Sequence, residues 1–139
     1  MAANTVPIFC KQGNFFPVAI AAANTASDGS GSLVTLVTAA ADGTRVEGVR
    51  FKNAQITPAA SSANLMKIFL TDAAGANPMN VGEVIQAAAT RSASVAGATS
   101  IYTFDAPIIM KSGQLLKVCM HVYAGAQDLT HALAFANDY

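Results

Sequence analysis

The chain has 139 residues, enough for one domain, and its eight basic and eight acidic residues cancel; a domain of this size buries roughly 68% of its unfolded surface. With no net charge there is no field to hold nucleic acid or an anionic membrane. Charged residues are 12% of a chain that is 53% hydrophobic, about half the roughly 25% of an ordinary soluble domain, so a bare monomer faces a solubility problem.

Thr5 to Phe9 is a short β-rich piece interrupted by Pro7. Proline cannot donate to a ladder, so this piece reads as an edge strand or an arm. Residues 1–13 are accordingly expected to form an N-terminal extended arm ahead of a sandwich domain over residues 14–139. Gly13-Asn14 reads as a turn and Phe15 to Ala21 as an apolar strand.

The stretch from Asn24 to Asn53 is the most strongly patterned. A polar loop, Asn24-Thr25-Ala26-Ser27-Asp28-Gly29-Ser30-Gly31, feeds the β-rich run Leu33-Val34-Thr35-Leu36-Val37-Thr38. Asp42-Gly43 then turns the chain into a second run, in which Val49 and Phe51 alternate with Arg50 and Lys52. Asp-Gly between two such runs predicts a hairpin, because glycine tolerates the positive φ that hairpin turns need. The alternation predicts a strand with one wet face. Gly48 interrupts it between Val46 and Val49, which predicts a β-bulge.

Residues 56–62, with Pro58, read as a loop. From Asn64 to Thr71, Met66, Ile68 and Leu70 face one way, with Leu65, Lys67 and Phe69 the other. That pattern predicts a central strand covered in part on both faces. Asp72 to Asn80, with Gly75 and Pro78, is a long turn region. Val81 to Ala89 fits a short helix as well as a strand. Arg91 to Ser100 is small and polar, a loop. Ile101 to Asp105 is a strand, continued after a break by Pro107 to Met110. After the turn Lys111-Ser112-Gly113-Gln114, Leu115 to Tyr123 is a clear strand, with Leu116, Val118, Met120 and Val122 on one face. Gly125-Ala126-Gln127-Asp128 turns the chain into a last strand, Thr130 to Ala136. Eight or nine short strands with turns between them and little helix predict a single-domain, all-β antiparallel sandwich.

Few residues invite chemistry. Two cysteines, Cys10 and Cys119, do not make a secreted disulfide framework, and Cys119, inside a strand, reads as a buried small hydrophobe. His121 and His131 with Cys119 lack the spacing of a zinc site. Asp28, Asp42, Asp72, Asp105 and Asp128 all fall in turn or loop contexts, where a carboxylate bonds its own backbone. No two are spaced as in a calcium loop. No serine sits in a nucleophile elbow, and Gly29-Ser30-Gly31 leads into a strand rather than the helix of a phosphate cradle. The expectation is a protein that is not an enzyme and has no cofactor. Arg45, Arg50, Lys52 and Lys67 fit either a solvated face or a basic strip of rim contacts to an acidic neighbour.

Met1-Ala2-Ala3-Asn4 has no basic n-region of a signal peptide. The apolar run Phe16 to Ala23 contains Pro17 and is too short to cross a bilayer. Synthesis in the cytoplasm, without a membrane or nucleic-acid partner, is expected.

Two segments, Ala23 to Lys52 and the ending Phe135-Ala136-Asn137-Asp138-Tyr139, resemble a group of small virion proteins of tailed bacteriophages. The shared features are the polar loop before a Val/Thr strand, the Asp-Gly turn, the alternating basic strand, and the aromatic-to-acidic ending. The chain departs from that pattern in lacking tryptophan and in carrying Asn137 where glycine is usual. The resemblance implies a jelly-roll sandwich acting in the virion as a capsid decoration (cement) protein. It would bind copies of itself, most often as a homotrimer, and the major capsid protein or other virion proteins. Synthesis would then be in the host cytoplasm. Contacts would come from the arm (Val6, Pro7, Ile8, Phe9), from Arg45, Arg50 and Lys52, and from Tyr139. A tail or baseplate component shares every one of these features. A jelly-roll carbohydrate-binding module is the alternative of another class, with Tyr102, Tyr123 and Tyr139 as its only tyrosines.

Overall fold

A computed structural model of the chain describes residues 11–54 and 60–139. The expected arm at Val6, Pro7, Ile8 and Phe9 lies outside the described residues. Two four-stranded antiparallel sheets are built from eight strands: β1 (Gln12–Ile20), β2 (Val34–Thr38), β3 (Thr44–Asn53), β5 (Asn64–Thr71), β6 (Met79–Gln86), β8 (Thr99–Met110), β9 (Leu115–Met120) and β10 (Thr130–Asp138). A two-residue pair, β4 (Ala60–Ser61) with β7 (Ala89–Thr90), lies outside both sheets, and a 3₁₀ turn spans Ala126–Asp128.

Sheet A has the order β1-β10-β3-β8 and sheet B the order β2-β9-β5-β6. β1 thus pairs with β10, β2 with β9, β3 with β8, and β5 with β6. The chain is folded back on itself about the β5–β6 connection and wrapped into two layers, consistent with the expected jelly roll.

Burial follows the period-2 pattern. Ile20, Val46, Val49, Phe51, Met110 and Ala134 of sheet A meet Val37, Met66, Ile68, Leu116, Val118 and Met120 of sheet B with no exposed surface. Each such side chain removed from water contributes about 1.5–3 kcal/mol, less for alanine. Val49 and Phe51 point inward and Arg50 and Lys52 do not, as their alternation predicts. Gly48 marks a break in register against both β8 and β10, the expected bulge. A Cβ on Gly48 would lie 2.6 Å from the Tyr102 carbonyl oxygen, so the bulge depends on a residue without one.

Several expectations are corrected. Residues 33–40 and 45–53 do not form a hairpin, since β2 belongs to sheet B and β3 to sheet A. The Asp42-Gly43 turn itself is present. Gly43 has φ +103 and its N–H donates to the Ala40 carbonyl at 3.0 Å. The turn carries the chain from one layer to the other, so that Val37 and Val46 both enter the core rather than lying side by side in one sheet. Gly13 and Asn14 are not a turn but part of β1, where Gln12 and Gly13 face Asp138 and Asn137. The segment that fitted helix or strand is the edge strand β6. The two pieces around Pro107 form one strand, β8, with residues 104–107 bulging opposite Glu47.

Candidate interaction surface

The two outer faces of the sandwich are treated differently. On sheet B, Lys67 and Phe69 point away from the core, yet neither has exposed surface. The loop from Ala21 to Leu33 lies over them. The Lys67 ammonium donates to the carbonyls of Ala26 (2.7 Å) and Asn24 (3.1 Å), so a buried cation is solvated by main chain. The Asn24 amide donates to the Ser30 and Ser32 carbonyls, and its side-chain oxygen accepts from the Ala26 N–H. A Cβ on Gly29 would lie 2.4 Å from Pro78 and 3.1 Å from Phe69, so the loop sits tightly on the sheet. Cys119, which faces Lys67 in the register, is 1% exposed. Burial pushes its thiol upward, with the Lys67 charge pulling the other way.

Sheet A has no such cover among the described residues. Its central strand β10 turns Ala132, Ala134 and Ala136 inward and His131, Leu133, Phe135 and Asn137 outward. The larger apolar side chains are therefore on the wet side. Neighbouring strands extend the pattern: Phe15 of β1 is 65% exposed, Ile101 of β8 55% and Ile109 58%. The register places Pro17, Leu133, Arg50 and Ile101 in one row across the sheet, and Phe15, Phe135, Gly48 and Thr103 in the next. Phe15 meets Phe135 edge to face, with ring centroids 6.3 Å apart. An edge-to-face pair of this kind holds a defined geometry. At one end of the face Lys52, Arg91 and His131 line an open shallow cleft.

The residues singled out from sequence fall on this face only in part. Arg45, Arg50 and Lys52 lie on its β3 strand, where Arg45 pairs with Glu47 at 3.4 Å and the Lys52 ammonium donates to the Gly97 carbonyl at 2.6 Å. Lys67 does not continue the basic strip, because it lies in the other sheet and is buried. Tyr139 is half-buried, its N–H donating to the Gly43 carbonyl at 3.2 Å. The adjacent Asp138 accepts from the Thr44 hydroxyl at 2.6 Å. The two segments that carry the phage resemblance therefore meet at the Asp-Gly turn. Pattern reading missed Phe15, Leu133, Phe135, Ile101 and Ile109. The available signal was alanine alternating with larger apolar residues in 131–136, the reverse of what a lone sandwich needs.

Main-chain edges are blunted. β1 carries Pro17 and β8 carries Pro107, neither with an N–H to offer. On β6 the Asn80 side chain accepts from the Gly82 N–H at 3.1 Å and donates to Glu83 at 2.8 Å. Side-chain contact through a face is better provided for than strand addition at these edges.

No cluster of three or more His, Cys, Asp or Glu able to hold a metal ion occurs among the described residues. His121 follows β9 in sheet B and His131 lies on β10 in sheet A. Among the described residues no helix is long and apolar enough to cross a membrane. The tyrosines form no shared platform. Tyr102 packs over Gly82, Tyr123 packs against the core, and Tyr139 lies beside Gly43.

No protein-family model and no curated protein matches the chain. Among solved structures, it is similar to a chain described as the cyanophage Pam1 capsid asymmetric unit. The two are 15% identical, with a TM-score of 0.40, covering 98% of this chain and 92% of that one.

Proposed function

We propose that the protein is a non-enzymatic structural subunit of a phage virion, a capsid decoration (cement) protein that docks through the outer face of sheet A. The observation that carries the docking claim is the inversion in β10, with alanines inside and Leu133 and Phe135 outside. Fully burying a leucine or phenylalanine contributes about 1.5–3 kcal/mol, and a lone sandwich forgoes part of that gain by leaving these two half-buried on its outer face. A partner covering the face recovers it. Charged residues at 12% of the chain, half those of an ordinary soluble domain, agree with a surface that is largely covered. The phage setting is supported by the sequence resemblance of residues 23–52 and 135–139, and a tail or baseplate subunit is the alternative that shares those features. In this reading copies associate as trimers on the capsid lattice, and the arm residues Val6, Pro7, Ile8 and Phe9 add apolar contact.

Mass spectrometry of purified particles, with copy number, tests the virion role. Ile101→Asp and Leu133→Asp place a charge on the face without touching the core. Each should keep the thermal midpoint and lose particle attachment. Attachment undiminished in both variants would overturn docking by this face. Removing residues 1–10, which leaves β1 complete from Gln12, should weaken attachment in a protein that still folds.

A further inference from the structure

The two outer faces of the sandwich present different charged groups. The outer face of sheet A carries Arg45, Arg50 and Lys52 on β3, with Glu47 engaged by Arg45. Arg50, exposed, lies in the row between Leu133 and Ile101. On the sheet B side Glu83 is exposed, and Lys117 of β9 is half-buried on the same outer face. Glu83 of β6 faces Lys67 in the register, but Lys67 is buried beneath the loop and engaged with carbonyls. Asp28 and Asp72 lie in loops on the same side, and the Lys117 side chain reaches Gly75 of the second of these loops.

The edge strand β6 also carries exposed apolar surface. Ile85, two residues from Glu83 and so on the same side of the strand, is 72% exposed, and Met79 is 61% exposed. Glu83 is held in place by the Asn80 amide, so its carboxylate is presented in one orientation. One region of the chain thus shows a cation among apolar side chains, and a different region shows an anion among apolar side chains.

We infer that copies of the chain associate head to tail, the outer face of sheet A of one copy receiving β6 of the next. Arg50 meets Glu83 across the contact, and Ile85 enters the apolar surface formed by Leu133, Phe135 and Ile101. The two patches differ, so the contact is heterologous: it closes into a ring where the rotation allows and otherwise runs on. The inference rests on the reading of sheet A as a docking face and names a second copy as its occupant.

Light scattering on the intact protein, on Arg50→Glu, on Glu83→Arg and on the double variant tests it. Both side chains are exposed, so each variant should keep the far-ultraviolet circular dichroism spectrum and a cooperative melt, which report intact folding apart from the stability lost with association. The intact protein should be an oligomer at micromolar concentration. Each single reversal should weaken association at least tenfold, by placing like charges together. The double variant should recover most of it, because every head-to-tail contact then has its charges exchanged. A monomeric intact protein, unaffected single variants, or a double variant no better than the weaker single would each overturn the inference. A monomer that still attaches to particles through sheet A would leave the docking reading standing while removing the head-to-tail contact. A monomer that attaches to nothing would remove both.

Discussion

Lys67 donates to the main-chain carbonyl of Ala26 at 2.7 Å from a position with no exposed surface. No acidic side chain among the described residues lies within ion-pair distance of its ammonium. The charge is solvated by the carbonyls of Ala26 and Asn24, which makes this lysine the anchor of the Ala21–Leu33 loop on sheet B. Lys67→Met keeps the length and removes the donor. Two carbonyls then lose their partner, at a cost of about 1–3 kcal/mol. Hydrogen exchange should rise in residues 21–33 before it rises in β5 and β9. Unchanged exchange in that loop would show that its packing alone holds it down.

The turn at Gly43 permits no side chain. Its φ is +103, and a Cβ there would lie 2.8 Å from the Met110 carbonyl oxygen. Gly43→Val combines a left-handed backbone with a steric clash, for a loss of about 1–3 kcal/mol. Gly43→Ala should lose less. Denaturation midpoints of the three proteins should fall in the order Gly, Ala, Val.

Tyr102 closes one flank of the sandwich by lying over Gly82. A Cβ on Gly82 would be 2.5 Å from the tyrosine ring, and the Tyr102 hydroxyl reaches the Val81 carbonyl only at 3.4 Å. Ring packing rather than the hydrogen bond is therefore the stronger tie between β8 and β6. Gly82→Ala should destabilise by about 1–3 kcal/mol through overpacking, and Tyr102→Phe by under about 1 kcal/mol. Thermal melts of the two variants would reverse in order if the hydroxyl were the main tie.

Acid should weaken the loops first. The Asp72 carboxyl lies below its ordinary 3.8 because the Ala76 N–H and the Asn77 amide donate to its ionised form. Asp28 is lowered by the Ser30 hydroxyl and N–H, and Asp42 by Lys11. A carboxyl lowered in the folded state contributes stability above its unfolded value. That contribution is lost as pH falls through the folded one. The decline should begin near pH 3.8 and continue below it. Asp72→Asn should flatten this acid limb in denaturation midpoints measured from pH 5 down to about 2.

Local pattern carried the strands well where one face met the core, as in Val49 and Phe51 against Arg50 and Lys52. The β5 pattern was also legible, because both of its faces bear apolar residues. Partner choice was not. Asp42-Gly43 has the chemistry of a hairpin, and nothing local tells whether the next strand joins the same sheet or the opposite one. That is decided by β9 and β10, distant strands that occupy the places beside β2 and β3. Lys67 was misplaced for a similar reason. A lysine on a strand reads as solvent-facing until a remote loop is known to cover it. The exposed face was half legible: its cations stood out in the alternation, but its apolar members looked like core.

β1 and β10 are neighbours although Asn14 and Asp138 lie 124 residues apart. β10 is moreover an interior strand of sheet A, between β1 and β3. During synthesis, β1 and β3 emerge early and have nothing between them until residues 130–138 follow. Sheet A, and with it the face proposed to dock, is complete only once β10 joins β1 to the β3–β8 pair. Such long-range closure is slow compared with local folding. A chain that stops short of residues 130–138 therefore offers at most the β3–β8 pair of sheet A, without Leu133 and Phe135.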